Sequence, residues 1–167
     1  MIEIKQNYSL KEQNSFAFDH KAEFFCEVRS VEESHEFVDY CLNKNMPLKL
    51  LGEGTNIVLT RDIKGGVLKV SIPGKSINNN EVDLGAGENW NETVLWSLEN
   101  QLFGLENLSL IPGTVGAAPV QNIGAYGEEI SSKLVSLEAI NIKTVAFIAQ
   151  WGKFRKPARS SPCNRQT

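Results

Sequence analysis

Residues 110–127, LIPGTVGAAPVQNIGAYG, carry four glycines, two prolines and no charged side chain. The aliphatic positions keep neither a helical nor a strand period. An irregular segment of this length inside a compact domain is uncommon, and when present is functional or disordered. Disorder requires charge and low hydropathy. Leu110, Ile111, Val115, Val120 and Ile123, with no charge among them, predict an ordered and partly buried loop instead. Buried irregular backbone must find hydrogen-bond partners. Two readings meet that demand. One is a structural crossover packed on the rest of the fold. The other is a cradle for a large ligand rich in acceptors: a pyrophosphate accepts from glycine amides, while a flat ring packs on Ile and Pro and bonds to the Gln121 and Asn122 amides.

A second glycine motif lies upstream. Leu51-Gly52-Glu53-Gly54-Thr55-Asn56 ends an apolar run. Its glycines permit positive φ and close approach to the backbone. Consecutive amides in such a turn make a concave nest for phosphate oxygens, with Thr55 and Asn56 as further donors. A Rossmann turn is excluded, since position 57 is Ile and a strand-like NIVLT follows where a helix is required. The alternative is a tight turn without a ligand. Gly74-Lys75-Ser76 resembles the end of a P-loop, but position 69 is Lys where glycine is needed, and Pro73 and Asn78–Asn80 mark a surface turn. Two phosphate-friendly loops in one small domain favour a dinucleotide.

The rest of the chain reads as mixed α+β. FFCEVRS (24–30) is expected to be a strand. Ser30 and Glu33 form a capping box for a helix reaching about Asn45, with Val31, Val38, Cys41 and Leu42 on one stripe. LKLLGEGTNIVLT (48–60) reads as strand, turn and strand, and GGVLKV (65–70) and EVDLGAG (81–87) as further strands. Asn89 caps a second helix to about Gln101, and VSLEAINI (135–142) is a final strand. VAFIAQW suggests a strand or a helical turn, and GKFRKPARSSPCNRQT an unfolded basic end. This order lacks the regular alternation of a doubly wound sheet.

The 167 residues suffice for one domain or two small lobes. A net charge of -3 argues against nucleic acid as a partner. Neither a membrane-spanning run nor a secretory leader is expected. Cys26, Cys41 and Cys163 are too few and too scattered for a disulfide framework or a zinc site, and His20 and His35 stand isolated; no metal site is expected. All 20 acidic residues lie at or before Glu138, whereas the last 29 residues hold six basic side chains and no acid. A shift that abrupt is a boundary signal. Glu106, Glu128 and Glu129 flank the long loop without the spacing of an acid–base pair.

NSFAFDHKAE (14–23), PLKLLGEGTNIVLT (47–60), LGAGENWNETV (84–94) and GLENLSLIPGTVGAAPVQNIGAYGEEI (104–130) together resemble the UDP-N-acetylenolpyruvoylglucosamine reductase family. This family is also called UDP-N-acetylmuramate dehydrogenase or MurB. The resemblance covers about 14–142. It implies an FAD-dependent oxidoreductase of cytoplasmic peptidoglycan synthesis that uses NADPH as reductant and a UDP-sugar as substrate. The implied fold is the FAD-binding lobe of the vanillyl-alcohol-oxidase (PCMH) type with two small α+β subdomains. These would cover residues 1–60 and 61–143, followed by an atypical basic tail, 144–167. Implied cofactor contacts are Leu51, Gly52, Glu53, Gly54, Thr55, Asn56 and Ile57, with Gly52–Asn56 at the pyrophosphate. Ile111, Pro112, Gly113, Thr114, Gly116, Ala117, Ala118, Gln121, Asn122, Ile123, Gly124 and Tyr126 would line the remaining cleft, with Tyr126 toward substrate. Ala117 and Ala118 stand where some members carry serine, which leaves backbone amides in place of a hydroxyl contact. The family's catalytic arginine, serine and glutamate segments and its substrate domain have no counterpart in this sequence. Together with the change after Lys143, this implies a shifted reading frame, and an inactive flavin module or remnant as the alternative.

Overall fold

KAEFFCEV, rich in aromatic and β-branched residues, forms the strand around which the first lobe is built. The computed structural model describes residues 2–78, 81–142 and 152–155. β1 (Lys5–Ser9), β2 (Lys21–Val28), α1 (Val31–Asn43), β3 (Leu48–Leu51) and β4 (Ile63–Val70) make this lobe. The sheet order is β1-β2-β4-β3. β1 is antiparallel to β2, whereas β4 runs parallel to both β2 and β3.

α1 begins where Ser30 accepts from the Glu33 N–H at 3.2 Å, while the Glu33 carboxylate accepts from the Arg29 N–H at 2.6 Å. The buried stripe is Ser34, Phe37, Val38 and Cys41. Val31 is only half-buried and Leu42 is exposed, so the expected stripe is rotated by part of a turn. Phe37 and Cys41 reach over Gly66, where a Cβ would lie 2.5 Å from the Cys41 Sγ. Helix and sheet therefore approach closely over β4. Burial, with the Glu33 and Glu36 carboxylates nearby, pushes the Cys26 thiol up to about 11, and burial raises Cys41 as well. Both thiols stay protonated at neutral pH.

The expected second strand of 48–60 does not form, and residues 57–60 are irregular. β3 and β4 are parallel, and a parallel pair needs a crossover rather than a hairpin. Ile57 and Leu59 pack instead on the core of Leu10, Ala22, Phe25, Leu51 and Val67. β4 belongs to this first sheet, so a subdomain boundary at residue 60 falls inside the crossover, and the second sheet starts at Lys75.

The second lobe holds β5 (Lys75–Asn78), β6 (Glu81–Leu84), α2 (Trp90–Glu99), α3 (Ala117–Gln121), the short pair β7 (Gly124–Ala125) and β8 (Glu128–Glu129), β9 (Leu134–Ser136) and β10 (Gly152–Arg155). Its sheet runs β5-β6-β10-β9 and is antiparallel throughout. Lys75 opens a strand and pairs with Glu88 at 3.1 Å, an arrangement foreign to a P-loop, which opens a helix. Of the expected strand 135–142, the strand that forms is β9, paired with β10 at Leu134 and Ser136. Residues 152–155, read as part of an unfolded basic end, form β10 instead. Backbone pairing with Glu81–Leu84 is indifferent to side-chain charge. The rest of the tail, including VAFIAQW and Cys163, lies outside the described residues.

The second core is made by Trp90, Val94, Leu105, Leu108, Val115, Ala118 and their neighbours. Trp90 satisfies its indole N–H on the Leu108 carbonyl at 2.7 Å. Val115 and Ala118 come from the uncharged loop, and Ile111 and Ile123 pack against the same cluster.

Candidate cofactor-binding site

β3 delivers the first glycine turn at its C-terminal end, in line with the rule that α/β sheets bind ligands beyond the carboxyl ends of their strands. Leu51 is buried and anchors the turn. Gly54 has φ +69°, and a Cβ there would sit 2.0 Å from the Gln13 carbonyl oxygen. The Ser15 N–H donates to the Gly54 carbonyl at 3.2 Å. Behind this contact, the buried Asn14 closes the segment 10–18 on itself. Its Nδ2 donates to the Leu10 carbonyl at 2.7 Å and the Phe18 carbonyl at 3.1 Å, and its Oδ1 accepts from the Phe18 N–H at 3.1 Å. The sequence reading misses this brace, since Asn14 stands among polar neighbours, Gln13 and Ser15, and carries no local signal of burial. The backbone N–H groups from Gly52 through Asn56 donate to no acceptor among the described residues.

The long loop is not irregular throughout. It contains α3, β7 and the turn that leads to β8, and it splits into a buried and an exposed half. Gly113, Thr114, Val115 and Ala118 are buried, while Leu110, Val120 and Tyr126 are 82%, 85% and 90% exposed. The Val115 and Gly116 N–H groups donate to the Glu88 and Ala86 carbonyls, both at 2.9 Å, and the Gly113 carbonyl accepts from the Trp90 N–H at 2.9 Å. Gly113 has φ +126°. Neither it nor Thr114 donates its N–H to an acceptor among the described residues.

These two loops meet. A Cβ at Gly52 would lie 3.0 Å from the Thr114 Oγ1 and 3.9 Å from the Ala117 Cβ, and one at Gly113 would lie 3.5 Å from the Thr55 Oγ1. Asn56 donates its amide to the Gln121 Oε1 at 2.9 Å. Both side chains are expected ligand contacts, and in the structure each is engaged with the other. Glu53 is likewise engaged, accepting from the Asn89 Nδ2 at 2.7 Å.

The remaining expected residues take other places. Asn122 caps α3 at φ +42° and donates its side chain to Glu129 at 2.9 Å. Gly124 and Tyr126 belong to the hairpin, which turns at Tyr126 (φ +52°) and Gly127 (φ +81°). Ile57 packs in the first lobe, and Ile111, Ala118 and Ile123 pack in the second. Ala118 is fully packed and leaves no cleft-facing hydroxyl position, whereas Ala117 faces Gly52. Pro112 is exposed beside Gly113.

Between the lobes lies an apolar cavity of about 390 Å³. Val31, Ser34, Leu50, Leu68 and Val70 line it from the first lobe, and Leu84, Ala86, Val115, Pro119 and Leu134 from the second. Its volume suits a drug-sized ligand. None of the first-lobe residues is among the expected cofactor contacts. In sequence Leu50 is one apolar residue of a strand-like run, and only the structure shows that it is 58% exposed toward the end of β3. Unengaged amides beside an apolar cavity make a donor set suited to an oxygen-rich anion attached to a flat apolar group, so the residues present fit FAD. Among the described residues no group of His, Cys, Asp and Glu could hold a metal ion, and no helix is long and apolar enough to cross a membrane.

The chain belongs to the FAD-binding domain family, whose model matches residues 22–144. It is similar to the UDP-N-acetylenolpyruvoylglucosamine reductase of Flavobacterium johnsoniae, with 47% identity over 148 residues, 86% of this chain and 43% of that protein. It therefore spans less than half the length of that curated relative. The crystal structure of the corresponding reductase (MurB) from Thermus caldophilus superposes with a TM-score of 0.69 at 21% identity, covering 93% of this chain and 61% of that one. Aclacinomycin oxidoreductase superposes with a TM-score of 0.68 at 11% identity over 96% of this chain and 42% of its own. The fold is the FAD-binding lobe of the vanillyl-alcohol-oxidase type.

Proposed function

We propose that Gly52–Asn56, with Gly113 and Thr114, hold the pyrophosphate of FAD. In this reading the chain is the FAD-binding part of a cytoplasmic reductase of peptidoglycan synthesis, which converts UDP-N-acetylenolpyruvoylglucosamine to UDP-N-acetylmuramate with NADPH as reductant. The observation that carries the reading is the run of N–H groups from Gly52 to Asn56 with no acceptor among the described residues, placed against a second glycine turn in the same state. Bound FAD would supply hydride transfer. The chain's own residues bind and orient it. Gly54 and Gly113 shape the turns that aim the amides, Thr55 and Thr114 add hydroxyls at their junction, and the walls of the cavity exclude water from the apolar part of the cofactor. Leu110, Val120 and Tyr126 are left for contacts on the substrate side. Because the chain spans 43% of the curated relative's length, the reading leaves substrate chemistry to the remainder of the reductase.

A purified chain should show a yellow flavin spectrum that bleaches on anaerobic addition of NADPH. Flavin without bleaching favours a second reading, a module that holds FAD without chemistry of its own. A colourless chain that takes up no added FAD overturns both.

A further inference from the structure

We propose that Asn89 and Glu53 are positioning residues which lock the two glycine loops into one arrangement before the cofactor arrives, an inference that rests on the reading of those loops as an FAD cradle. Asn89 is committed on every side. Its Oδ1 accepts from the Glu92 N–H at 3.0 Å and so caps α2, while its Nδ2 donates to the Glu53 Oε1 at 2.7 Å. Its carbonyl accepts from the Thr93 N–H at 3.0 Å and the Thr93 Oγ1 at 2.7 Å. The residues on either side of it bond to the second glycine turn: the Trp90 N–H donates to the Gly113 carbonyl and the Val115 N–H to the Glu88 carbonyl, both at 2.9 Å, which sets Asn89 opposite Thr114. The segment Glu88–Trp90 thereby joins the first glycine turn, the start of α2 and the second glycine turn.

Glu53 makes the arrangement informative. Glycine has the largest backbone entropy to lose on ordering, and Glu53 is the one side chain between Gly52 and Gly54. A carboxylate beside amides that receive an anion repels that anion unless it is directed elsewhere. The charge-assisted hydrogen bond to Asn89 does both jobs. It turns the charge aside and ties down the middle of the most flexible stretch of the site. The Asn56–Gln121 bond joins the same loops but lies exposed, and is the weaker pin.

The test is an exchange of polarity. N89D keeps the helix cap, because Asp and Asn are equivalent at that position, but sets a carboxylate against Glu53. E53Q alone retains an oxygen that accepts from Asn89. In E53Q/N89D the glutamine amide donates to the introduced carboxylate and rebuilds the bond reversed. FAD affinity is measured by flavin fluorescence at a temperature where all variants are folded, and apo melting is measured in parallel. N89D should weaken FAD binding about tenfold or more. E53Q, which exchanges the charge-assisted bond for a neutral one, should weaken binding less than N89D does, and the double variant should return to within about threefold of the wild type. A double variant that binds no better than N89D, or an N89D that binds like the wild type, overturns the positioning role. A wild-type chain that binds no FAD overturns the cradle reading together with the positioning role. In that case additive melting shifts in the two single variants also overturn the Glu53–Asn89 link, and non-additive shifts support it.

Discussion

The two glycine loops face one space but are held in opposite ways. The turn at Gly52–Asn56 is held from outside: by the Ser15 N–H on the Gly54 carbonyl, by Gln13 against Gly54 and by Asn89 on Glu53. The loop at 110–127 adds anchors of its own to its backbone bonds with Ala86, Glu88 and Trp90, with Val115 and Ala118 in the second core and its exposed residues on the other side. A turn held by its surroundings leaves its amides for a ligand, whereas a loop that anchors itself couples ligand contacts to stability. Substitutions in the two loops should therefore separate affinity from stability to different degrees.

The largest expected effect is at Gly54. Gly54→Val meets both a positive φ and the Gln13 carbonyl at 2.0 Å, and should abolish FAD binding and destabilise the chain by about 3 kcal/mol or more. A flavin titration and denaturant unfolding read the two effects, and unchanged flavin affinity would sink the nest assignment. Next is Val115→Ala, which empties a buried core position and should cost about 2 kcal/mol of stability. Its affinity loss should be far smaller than that of Gly54→Val: Val115 lends part of one cavity wall, so FAD binding measured well below the melting temperature should fall by less than about tenfold. An equal loss of affinity in the cold would erase the contrast between the loops.

Tyr126→Asn tests strain in the exposed half. Tyrosine occupies φ +52° in a two-residue hairpin turn where Asn-Gly is favoured, so the change should stabilise the chain by about 1 kcal/mol. A drop in melting temperature would show that the tyrosine ring contributes packing despite its 90% exposure. The smallest effect is expected for Asn56→Ala, which removes an exposed hydrogen bond and should shift apo stability by less than about 1 kcal/mol. A larger shift in a thermal melt would make the Asn56–Gln121 contact a main tie between the loops.

Much of the site is legible from composition and local order. The capping residues Ser30 and Asn89 precede helices that form where expected. The prediction that an uncharged, glycine-rich loop must be buried holds for Gly113–Val115 and Ala118. Leu110 and Val120 stay exposed, because apolar character says that a residue is able to pack, not that a partner faces it. The strand expected over 57–60 is lost for a related reason. Whether Gly52–Asn56 opens a hairpin or a crossover depends on the direction of β4, which is set by pairing with β2.

By itself the sequence determined the chemistry of the two loops, their phosphate-friendly glycines and the mixed α+β character, because these depend on residue type and near-neighbour geometry. Only the tertiary structure decided that the loops lie side by side, that Glu53 pairs with Asn89, and that Leu50, Leu68 and Val70 share a cavity with Val115. Those contacts join residues from separate lobes and distant parts of the chain. Their partners are selected by sheet order and packing, which no local pattern encodes.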